Sequence, residues 1–409
     1  MPSVLITNSV ALNGGDEALL RSTIELIKLK IPNCNFLVLT NTPELCKTLF
    51  PDIAFDKDWE YVFNQPARSL TGRVKKKIRD VLKNRVNLNY YSFLSEQLSS
   101  KDERRIYNAY KNADFILSSA GGYIHDFYGY EKRILAYQLC IFLNKKYFYF
   151  GQSIGPFWNE DQYRKLTPIL NNAAGILLRE GLSKNHLQTI NVTNNNIYVT
   201  MDVAFGYHLL KPDLFKPKTN LNIRNVVMAF RKWQNEDINE KIKTNVIKLV
   251  KHLIYKYNVS ITFLSTCQGI QGYINDSDFA KEICKNLDAD IKSKIFIDDK
   301  KYFLNDLISK YSTFDAYIGM RLHGAVLSML GGTPAFNIGY EDKTSGIFEM
   351  LGIKNNMVNY SEPYEDWILK IDDFFSSYKA NLSCLLNLVE STSKKSFQNV
   401  ELLSHLLKK

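Results

Sequence analysis

The clearest chemical signature in the chain is an arginine and a histidine that follow a predicted strand. The apolar run Ala316–Gly319 leads into Met320-Arg-Leu-His-Gly-Ala-Val-Leu, so Arg321 and His323 lie where a helix begins. Free backbone N–H groups at a helix N-terminus favour an anion, and an arginine adds charge-assisted hydrogen bonds. We therefore interpret Arg321 and His323 as ligand contacts or catalytic groups of an anion site.

Three further cations follow predicted strands at the same kind of position: Arg179, Arg231 and Lys343. Ligands of open α/β sheets bind at the carboxyl ends of the strands, and a guanidinium matches a planar carboxylate or phosphate. For Arg179 an ion pair with Glu180 explains the sequence equally well, and a lone lysine such as Lys343 is usually solvent-exposed. Taken together, these side chains predict the binding of a small and highly anionic substrate.

Polar and glycine residues after the first and third predicted strands are further candidates. Asp16 follows Asn13-Gly-Gly at the start of a helix, where it either caps the helix or faces a cleft. Gly121 and Gly122 allow a ligand to approach the backbone closely, and Asp126 can accept a hydrogen bond from a sugar hydroxyl. We interpret the neighbouring histidine, at position 125, as a structural residue.

Gln152, in the sequence Gly151-Gln-Ser-Ile-Gly-Pro after the fourth predicted strand, is a candidate pocket wall, although a Gly-Pro turn fits equally well. No Cys/His cluster in the sequence has metal-ligand spacing, and no activated serine or cysteine is evident, so we predict no metal site. The six cysteines are scattered along the chain, which favours free thiols in a reducing compartment.

The elements that position these residues alternate between strands and helices. Short apolar runs such as Phe115–Ser118 and Gly175–Leu178 are separated by helix-length segments, a pattern typical of a parallel sheet covered by helices. The alternation pauses at a polar stretch with two prolines and then resumes. We therefore predict an α/β protein with two domains in tandem. The predicted parts are an N-terminal domain (1–207), a linker (208–222), a C-terminal domain (223–379) that carries Arg-Leu-His-Gly, and a helical segment (380–409).

The predicted N-terminal domain contains a basic insertion near residues 64–100. Its segment Arg68–Arg85 has eight basic residues and one acidic residue, Asp80, with apolar residues along one helical face. A basic amphipathic helix is typical of peripheral contact with an anionic membrane. A solvated helix that packs on its own domain explains the same pattern, so both interpretations stay open.

Composition limits the class of protein and of partner. With 409 residues, 45% apolar and 23% charged, the chain has an ordinary globular composition, which excludes a disordered or fibrous protein. The net charge of +10 favours an anionic partner, either a phosphorylated metabolite, a membrane surface or nucleic acid. The sequence shows no signal peptide and no apolar run near the ~20 residues of a membrane span. We predict a cytoplasmic protein, in contact at most with the inner face of the membrane.

In chain order, these motifs resemble the polysaccharide pyruvyl transferase family over roughly residues 1–355. The motifs are Asn13-Gly-Gly-Asp-Glu-Ala, Gly121-Gly122 with Asp126, Gly151-Gln-Ser-Ile-Gly-Pro, Leu178-Arg179, Asp202-Val-Ala-Phe, Phe230-Arg231, Arg321-Leu-His-Gly and Tyr340 with Lys343. The chain departs from the family at Val10-Ala-Leu-Asn, where a glycine-rich lead is reduced, and at Val203, where proline is usual. In combination, the motifs are specific to the family but not to one substrate.

The resemblance implies two Rossmann-like domains that face each other across a cleft, as in the GT-B architecture, with the N-terminal domain on the acceptor side. It implies transfer of a pyruvyl group from phosphoenolpyruvate to two hydroxyls of a sugar. Phosphoenolpyruvate would be the donor substrate, and no cofactor is expected. The acceptor would be the sugar of a cell-surface polysaccharide or of its lipid-linked precursor, and nucleic acid is not expected as a partner.

The resemblance also implies roles for individual residues. His323 corresponds to a catalytic histidine, which we expect to act as a general acid. Arg179 and Lys343 correspond to anion-binding residues, and Arg321 is expected to neutralise the same donor. Asp126 is expected to position or deprotonate an acceptor hydroxyl. The remaining candidates for substrate contact are Asp16, Gly121, Gly122, Gln152, Arg231 and Tyr340.

Two other functions stay open at this point. A glycosyltransferase of the same architecture would use a nucleotide sugar and would need a site for base and ribose, but the second half of the sequence shows no clear acidic ribose clamp. A non-catalytic partner in polysaccharide assembly would not need aligned arginine, histidine and lysine residues.

Overall fold

The structure is a computed structural model that describes residues 1–59, 61 and 101–409. The basic segment Arg68–Arg85 lies outside the described residues, so its contact with a membrane stays a prediction. Among the described helices, none is both long enough and apolar enough to cross a membrane.

The described N-terminal part forms a parallel sheet with helices on its faces. Its strands are β1 (Ser3–Thr7), β2 (Asn35–Thr40), β3 (Phe55–Lys57), β4 (Phe115–Ser118), β5 (Gly121–Ile124), β6 (Lys146–Ile154), β7 (Gly175–Leu178) and β8 (Ile197–Val199). Its helices are α1 (Gly14–Lys30), α2 (Pro43–Leu49), α3 (Lys101–Asn112), α4 (Glu131–Phe142), α5 (Glu160–Asn172), α6 (Gly181–Thr189) and α7 (Tyr207–Leu210). The strand order is β3-β2-β1-β4-β6-β7-β8, with β5 paired to β6.

The C-terminal part forms a second parallel sheet. Its strands are β9 (Asn225–Ala229), β10 (Ser260–Phe263), β11 (Ile295–Ile297), β12 (Ala316–Gly319), β13 (Ala335–Gly339) and β14 (Met357–Asn359). Its helices are α8 (Glu236–Tyr257), α9 (Asp276–Lys285), α10 (Ala289–Lys292), α11 (Leu304–Tyr311), α12 (Leu322–Leu330), α13 (Asp342–Met350), α14 (Tyr364–Ser376) and α15 (Tyr378–Lys408). The order β11-β10-β9-β12-β13-β14 is that of a doubly wound Rossmann sheet.

The apolar runs become strands because both faces of each sheet are covered. All four residues of β4, β7 and β12 are buried, as expected for parallel strands under helices. The structure differs from the predicted pattern at residues 121–124, which form strand β5 rather than a loop. Gly121 enters this strand at φ 138°, a conformation that favours glycine.

The last helix, α15, returns from the C-terminal sheet to pack on the N-terminal part. Asn399 donates from Nδ2 to the carbonyl of Met201 at 2.9 Å and accepts from the Thr200 hydroxyl at 2.7 Å. Ser396 Oγ accepts from the backbone N–H of Gly206 at 3.1 Å. These buried hydrogen bonds hold residues 200–206, the segment that follows β8.

Candidate active site

A cleft of about 360 Å³ lies between the two parts of the chain, at the carboxyl ends of both sheets. The two walls are in direct contact, because the backbone N–H of Gly14 donates to the carbonyl of Thr266 at 2.7 Å. Most of the predicted site residues line this cleft: Asp16, Gly121, Gly122, Arg179, Arg231, Arg321, His323, Tyr340 and Lys343. The structure therefore brings together side chains that are up to about three hundred positions apart in the sequence.

The centre of the site is a buried carboxylate, Asp202, that the side chains of Arg179 and His323 share. Arg179 Nη1 lies 2.7 Å from Asp202 Oδ2, and His323 Nε2 lies 3.3 Å from the same oxygen. Arg179 and Asp202 are 1% and 0% exposed, and they belong to the N-terminal part, whereas His323 comes from the C-terminal part. The cluster thus connects the two walls of the cleft.

Local structure fixes each member of this cluster. Asp202 caps the turn that follows β8, since its Oδ1 accepts from the backbone N–H of Ala204 at 2.9 Å. Arg179 comes directly after β7, and its Nε donates to Ser153 Oγ at 2.8 Å. Burial alone would raise the pKa of Asp202, but His323 and Arg179 outweigh burial and hold its pKa below the ordinary value. Asp202 is therefore ionised and orients both partners.

Gly15 leaves the space that the His323 side chain occupies between the two domains. A Cβ atom at position 15 would lie 2.7 Å from His323 Cβ and 2.8 Å from its Nδ1, which is too close for any side chain. His323 lies in the first turn of α12, so the free N–H groups of that helix end face the same cleft. Close packing against the C-terminal part thus requires both glycines of the first motif: Gly15 lies against His323, and a Cβ atom on Gly14 would lie 2.6 Å from Leu307 Cδ2.

A second carboxylate, Asp16, lines the cleft from the first turn of α1. Asn13 caps this helix, with Oδ1 accepting from the Asp16 N–H at 2.9 Å and Nδ2 donating to Asp16 Oδ2 at 2.6 Å. The Tyr123 hydroxyl donates to Asp16 Oδ1 at 3.2 Å. Burial raises the pKa of Asp16, and the nearby His323 only partly opposes this rise. Asp16 therefore holds a proton more readily than an exposed aspartate.

Lys343 lies on the opposite wall, in the first turn of α13. Its Nζ is 2.8 Å from Glu341 Oε2, and both side chains are largely buried. Burial would lower the pKa of Lys343, but the charge of Glu341 outweighs burial and raises it. Burial likewise would raise the pKa of Glu341, but the charge of Lys343 outweighs burial and holds this pKa below its ordinary value. Lys343 is thus a charged ammonium group at the cleft.

Arg321 also lines the cleft, but a carboxylate of its own domain binds it. Its Nε and Nη2 donate to the two oxygens of Asp276 at 2.7 and 2.6 Å. Because Asp276 occupies two donors of the guanidinium, Arg321 has fewer donors and less uncompensated charge to offer a ligand. Arg231 is more open: its Nη1 donates to the Tyr340 hydroxyl at 3.1 Å and its guanidinium lies over the Trp233 ring.

Two predicted site residues are not among the described residues that line the cleft. Gln152 is fully buried and donates from Nε2 to Ser118 Oγ and to the carbonyl of Ser119, both at 2.6 Å. It lies within β6, which extends to Ile154, and not after the strand as predicted from the sequence. Gln152 therefore supports the sheet beneath the cleft.

Asp126 binds backbone rather than facing the cleft. Its Oδ2 accepts from the N–H groups of Trp158 and Asn159 at 2.5 and 2.6 Å. This contact holds the start of α5 and gives Asp126 a positioning role for Trp158. Its predicted role with an acceptor hydroxyl stays a prediction.

Sequence reasoning assigned no role in the site to Asp202, Asp276 or Ser153. Asp202 had a usable signal, because it follows β8 at the same sheet edge as Arg179. Asp276 had none, since it is 45 positions from its partner Arg321. The alternative of an ion pair between Arg179 and its neighbour is not what the structure shows, because Glu180 instead caps α6 by accepting from the Ser183 N–H at 3.0 Å.

The chain is similar to known proteins over most of its length. The family model for polysaccharide pyruvyl transferase matches residues 13–342. The chain is also similar to the amylovoran biosynthesis protein AmsJ of Erwinia amylovora, with 24% identity over 374 residues, which cover 86% of each protein.

Solved structures share the fold. Anabaena HepE in complex with UDP and glucose has a TM-score of 0.61 at 12% identity and covers 100% of both chains. The UDP-GlcNAc 2-epimerase of Neisseria meningitidis bound to UDP-GlcNAc has a TM-score of 0.56 at 12% identity, covering 99% of this chain and 100% of that chain. These similarities confirm the prediction of a GT-B-like α/β fold with two Rossmann-like domains.

Proposed function

Because the chain belongs to the polysaccharide pyruvyl transferase family, we propose that it transfers the pyruvyl group of phosphoenolpyruvate to two hydroxyls of one sugar, forming a ketal. The family makes the chain a transferase of polysaccharide biosynthesis; the donor and the ketal are the proposal. The observation that carries the proposal is the buried carboxylate Asp202, shared by Arg179 and His323 at the wall of a cationic cleft.

The charges of the cleft suit this donor. Phosphoenolpyruvate carries a phosphate and a carboxylate, and two separate cations on opposite walls match two anionic groups. Arg179 has Nη2 close to Gly122 at the cleft surface, and Lys343 lies near the same glycine. Hydrogen bonds to charged groups of this kind contribute about 1.5–3 kcal/mol each. The N-terminus of α12 adds backbone donors for a phosphate.

The reaction balances without a cofactor. C3 of the donor gains a proton and becomes a methyl group, which makes C2 electrophilic. One sugar oxygen forms a bond to C2. The second sugar oxygen forms another bond to C2, and the bond between C2 and the phosphate oxygen breaks. The two hydroxyls release two protons. One of them balances the proton that C3 gains, and the other leaves with inorganic phosphate.

We propose that His323 donates the proton to C3 and that the ionised carboxylate of Asp202 orients the imidazole ring. General acid–base catalysis by a positioned histidine typically contributes about 10²–10⁴-fold to the rate. Asp16 lies near enough to His323 to interact with its charge, and the raised pKa of Asp16 suits a group that exchanges a proton with a sugar hydroxyl or with phosphate. The acceptor, a sugar of a cell-surface polysaccharide or of its lipid-linked precursor, is also part of the proposal, and so is the cytoplasmic location.

A donor screen tests the proposal against the rival glycosyltransferase. The purified enzyme is incubated with a panel of methyl glycosides and either phosphoenolpyruvate, UDP-glucose or UDP-GlcNAc. We expect release of inorganic phosphate that requires both phosphoenolpyruvate and a glycoside. Release of UDP, with no phosphate from phosphoenolpyruvate, would make the chain a glycosyltransferase instead.

A further inference from the structure

A second cavity of about 200 Å³ opens beside the cleft. This cavity, the side chamber, is bounded by His125, Phe127, Trp158, His186, Asp342 and Lys343. Gly122 and Lys343 line both cavities, so the side chamber meets the cleft where the donor cations lie. A Cβ atom on Gly122 would lie 3.2 Å from Arg179 Nη2 and 3.4 Å from Lys343 Cδ, so glycine keeps this junction open.

Two exposed aromatic rings form the outer wall of the side chamber. Phe127 and Trp158 are 49% and 57% exposed, and their ring centroids are 4.7 Å apart at an angle of 80°. Large apolar side chains left exposed at the mouth of a cavity are typical of a binding surface. The apolar face of a sugar ring packs well on such rings, since aromatic side chains offer a large flat area. Asp126 holds this wall through the Trp158 N–H.

The inner wall carries a histidine with unused hydrogen-bonding groups. His125 is 4% exposed, and within the described residues neither ring nitrogen has a hydrogen-bond partner. The nearby Glu341 Oε1 is 3.7 Å from Nε2, beyond hydrogen-bond reach. Burial, followed by the charge of Lys343, lowers the pKa of His125 to about 4, so the ring is neutral at pH 7. A neutral imidazole offers one donor and one acceptor, which is what a pair of hydroxyls requires.

The charge of the side chamber differs from that of the cleft. Three carboxylates and one lysine line it, namely Glu180, Glu341, Asp342 and Lys343, whereas four arginines, the same lysine and one carboxylate, Asp16, line the cleft. Carboxylates repel a phosphate but accept hydrogen bonds from hydroxyls. The Asp342 side chain is 61% exposed and therefore available to a ligand. The side chamber thus suits a neutral ligand rich in hydroxyls and disfavours a second molecule of the anionic donor.

We propose that the side chamber is the subsite for the acceptor sugar, with the sugar ring on Phe127 and Trp158 and its hydroxyls toward His125 and Asp342. The identity of the ligand as an acceptor rests on the proposed function. From this position the hydroxyls reach the donor through the junction at Gly122 and Lys343.

The first test measures binding without turnover. Saturation-transfer NMR is recorded with methyl β-D-galactoside, glucoside and mannoside on the wild type, Phe127→Ala, Trp158→Ala and the control Phe296→Ala. Phe296 is 60% exposed on the edge strand β11 and lines neither cavity. We expect transfer to a glycoside in the wild type and the control, reduced at least several-fold in both chamber variants. Equal transfer in all four proteins, or none in the wild type, would overturn the proposal.

The second test uses turnover with phosphoenolpyruvate and the glycoside that binds best. In Phe127→Ala and Trp158→Ala we expect the KM for the glycoside to rise roughly ten-fold, with the KM for phosphoenolpyruvate unchanged. A rise in the donor KM alone contradicts an acceptor subsite. If the wild type consumes no phosphoenolpyruvate, the proposed function fails, and the NMR result still decides whether the side chamber binds sugar.

Discussion

Two arginines that look alike in the sequence, Arg179 and Arg321, have different surroundings in the structure. Arg179 shares Asp202 with His323 of the opposite domain, whereas Arg321 has both oxygens of Asp276 within its own domain. Asp276 therefore compensates the charge of one cation, Arg321, whereas Asp202 links two side chains from opposite walls of the cleft. From this difference we propose that Arg179 belongs to the reacting cluster and that Arg321 chiefly joins the start of α12 to the start of α9.

The largest effects are expected in the shared cluster. His323→Ala should lower kcat by about 10²–10⁴-fold, because it removes the proton donor. Asp202→Asn keeps the shape of the side chain but removes the charge that orients His323, so kcat should fall in this variant as well. Single-turnover kinetics and calorimetry would measure both variants, with phosphoenolpyruvate binding to His323→Ala unchanged within a few-fold. Near wild-type kcat in either variant would remove the cluster from the chemistry.

Smaller losses are expected for the donor contacts. Arg179→Lys should lower kcat/KM for phosphoenolpyruvate at least about ten-fold, because lysine lacks the planar fork. Lys343→Ala should have a similar effect. The matched control is Lys354→Ala, since Lys354 pairs with Glu349 on the surface, where both side chains are about 60% exposed. If the control loses as much activity as Lys343→Ala, the donor does not bind at Lys343.

Arg321 should matter more for stability than for catalysis. Arg321→Met leaves Asp276 buried without its partner, which typically costs about 3–5 kcal/mol of unfolding free energy. The double variant Arg321→Met/Asp276→Leu should regain much of this stability in urea denaturation. Its kcat/KM for phosphoenolpyruvate should fall less than that of Arg179→Lys. A larger fall would show that Arg321 contacts the donor as directly as Arg179 does.

The smallest effect concerns the pH dependence of stability at Asp16. Because burial raises the pKa of Asp16, the folded state binds its proton more tightly than the unfolded state does. The ionised carboxylate therefore lowers stability at neutral pH, and this cost disappears as the pH falls through the raised pKa and then the ordinary one. Asp16→Asn should be more stable than the wild type at pH 7, with the difference shrinking on acidification. Urea denaturation across the pH range measures it, and a difference that grows toward acid pH contradicts this assignment.

Much of the fold could be predicted because buried parallel strands are uniform apolar runs. The strands β4, β7 and β12 have the predicted bounds. The edge strand β3, Phe-Asp-Lys, has no such run and was not predicted, because its pairing with β2 rather than its own residues makes it a strand. The glycines of β5 likewise indicate a turn in the sequence, and their pairing with β6 makes this segment a strand.

The candidate site could be predicted in part. The rule that ligands bind at the carboxyl ends of strands located Arg179, His323 and Lys343. It does not show which carboxylate each cation meets, since that depends on how the two domains pack. Asp202 and Asp276 acquire their roles only through partners distant in sequence, and so they are visible only in the structure.

The most direct test of the central claim follows the donor carbons into the product. Phosphoenolpyruvate labelled with ¹³C at C2 and C3 is incubated with the enzyme and an acceptor glycoside in D₂O, and the product is examined by ¹³C NMR. The account predicts a quaternary ketal carbon bonded to two sugar oxygens, next to a methyl group that carries a single deuterium. A retained vinyl group on the sugar, or a donor left intact while His323 and Asp202 are in place, would contradict it.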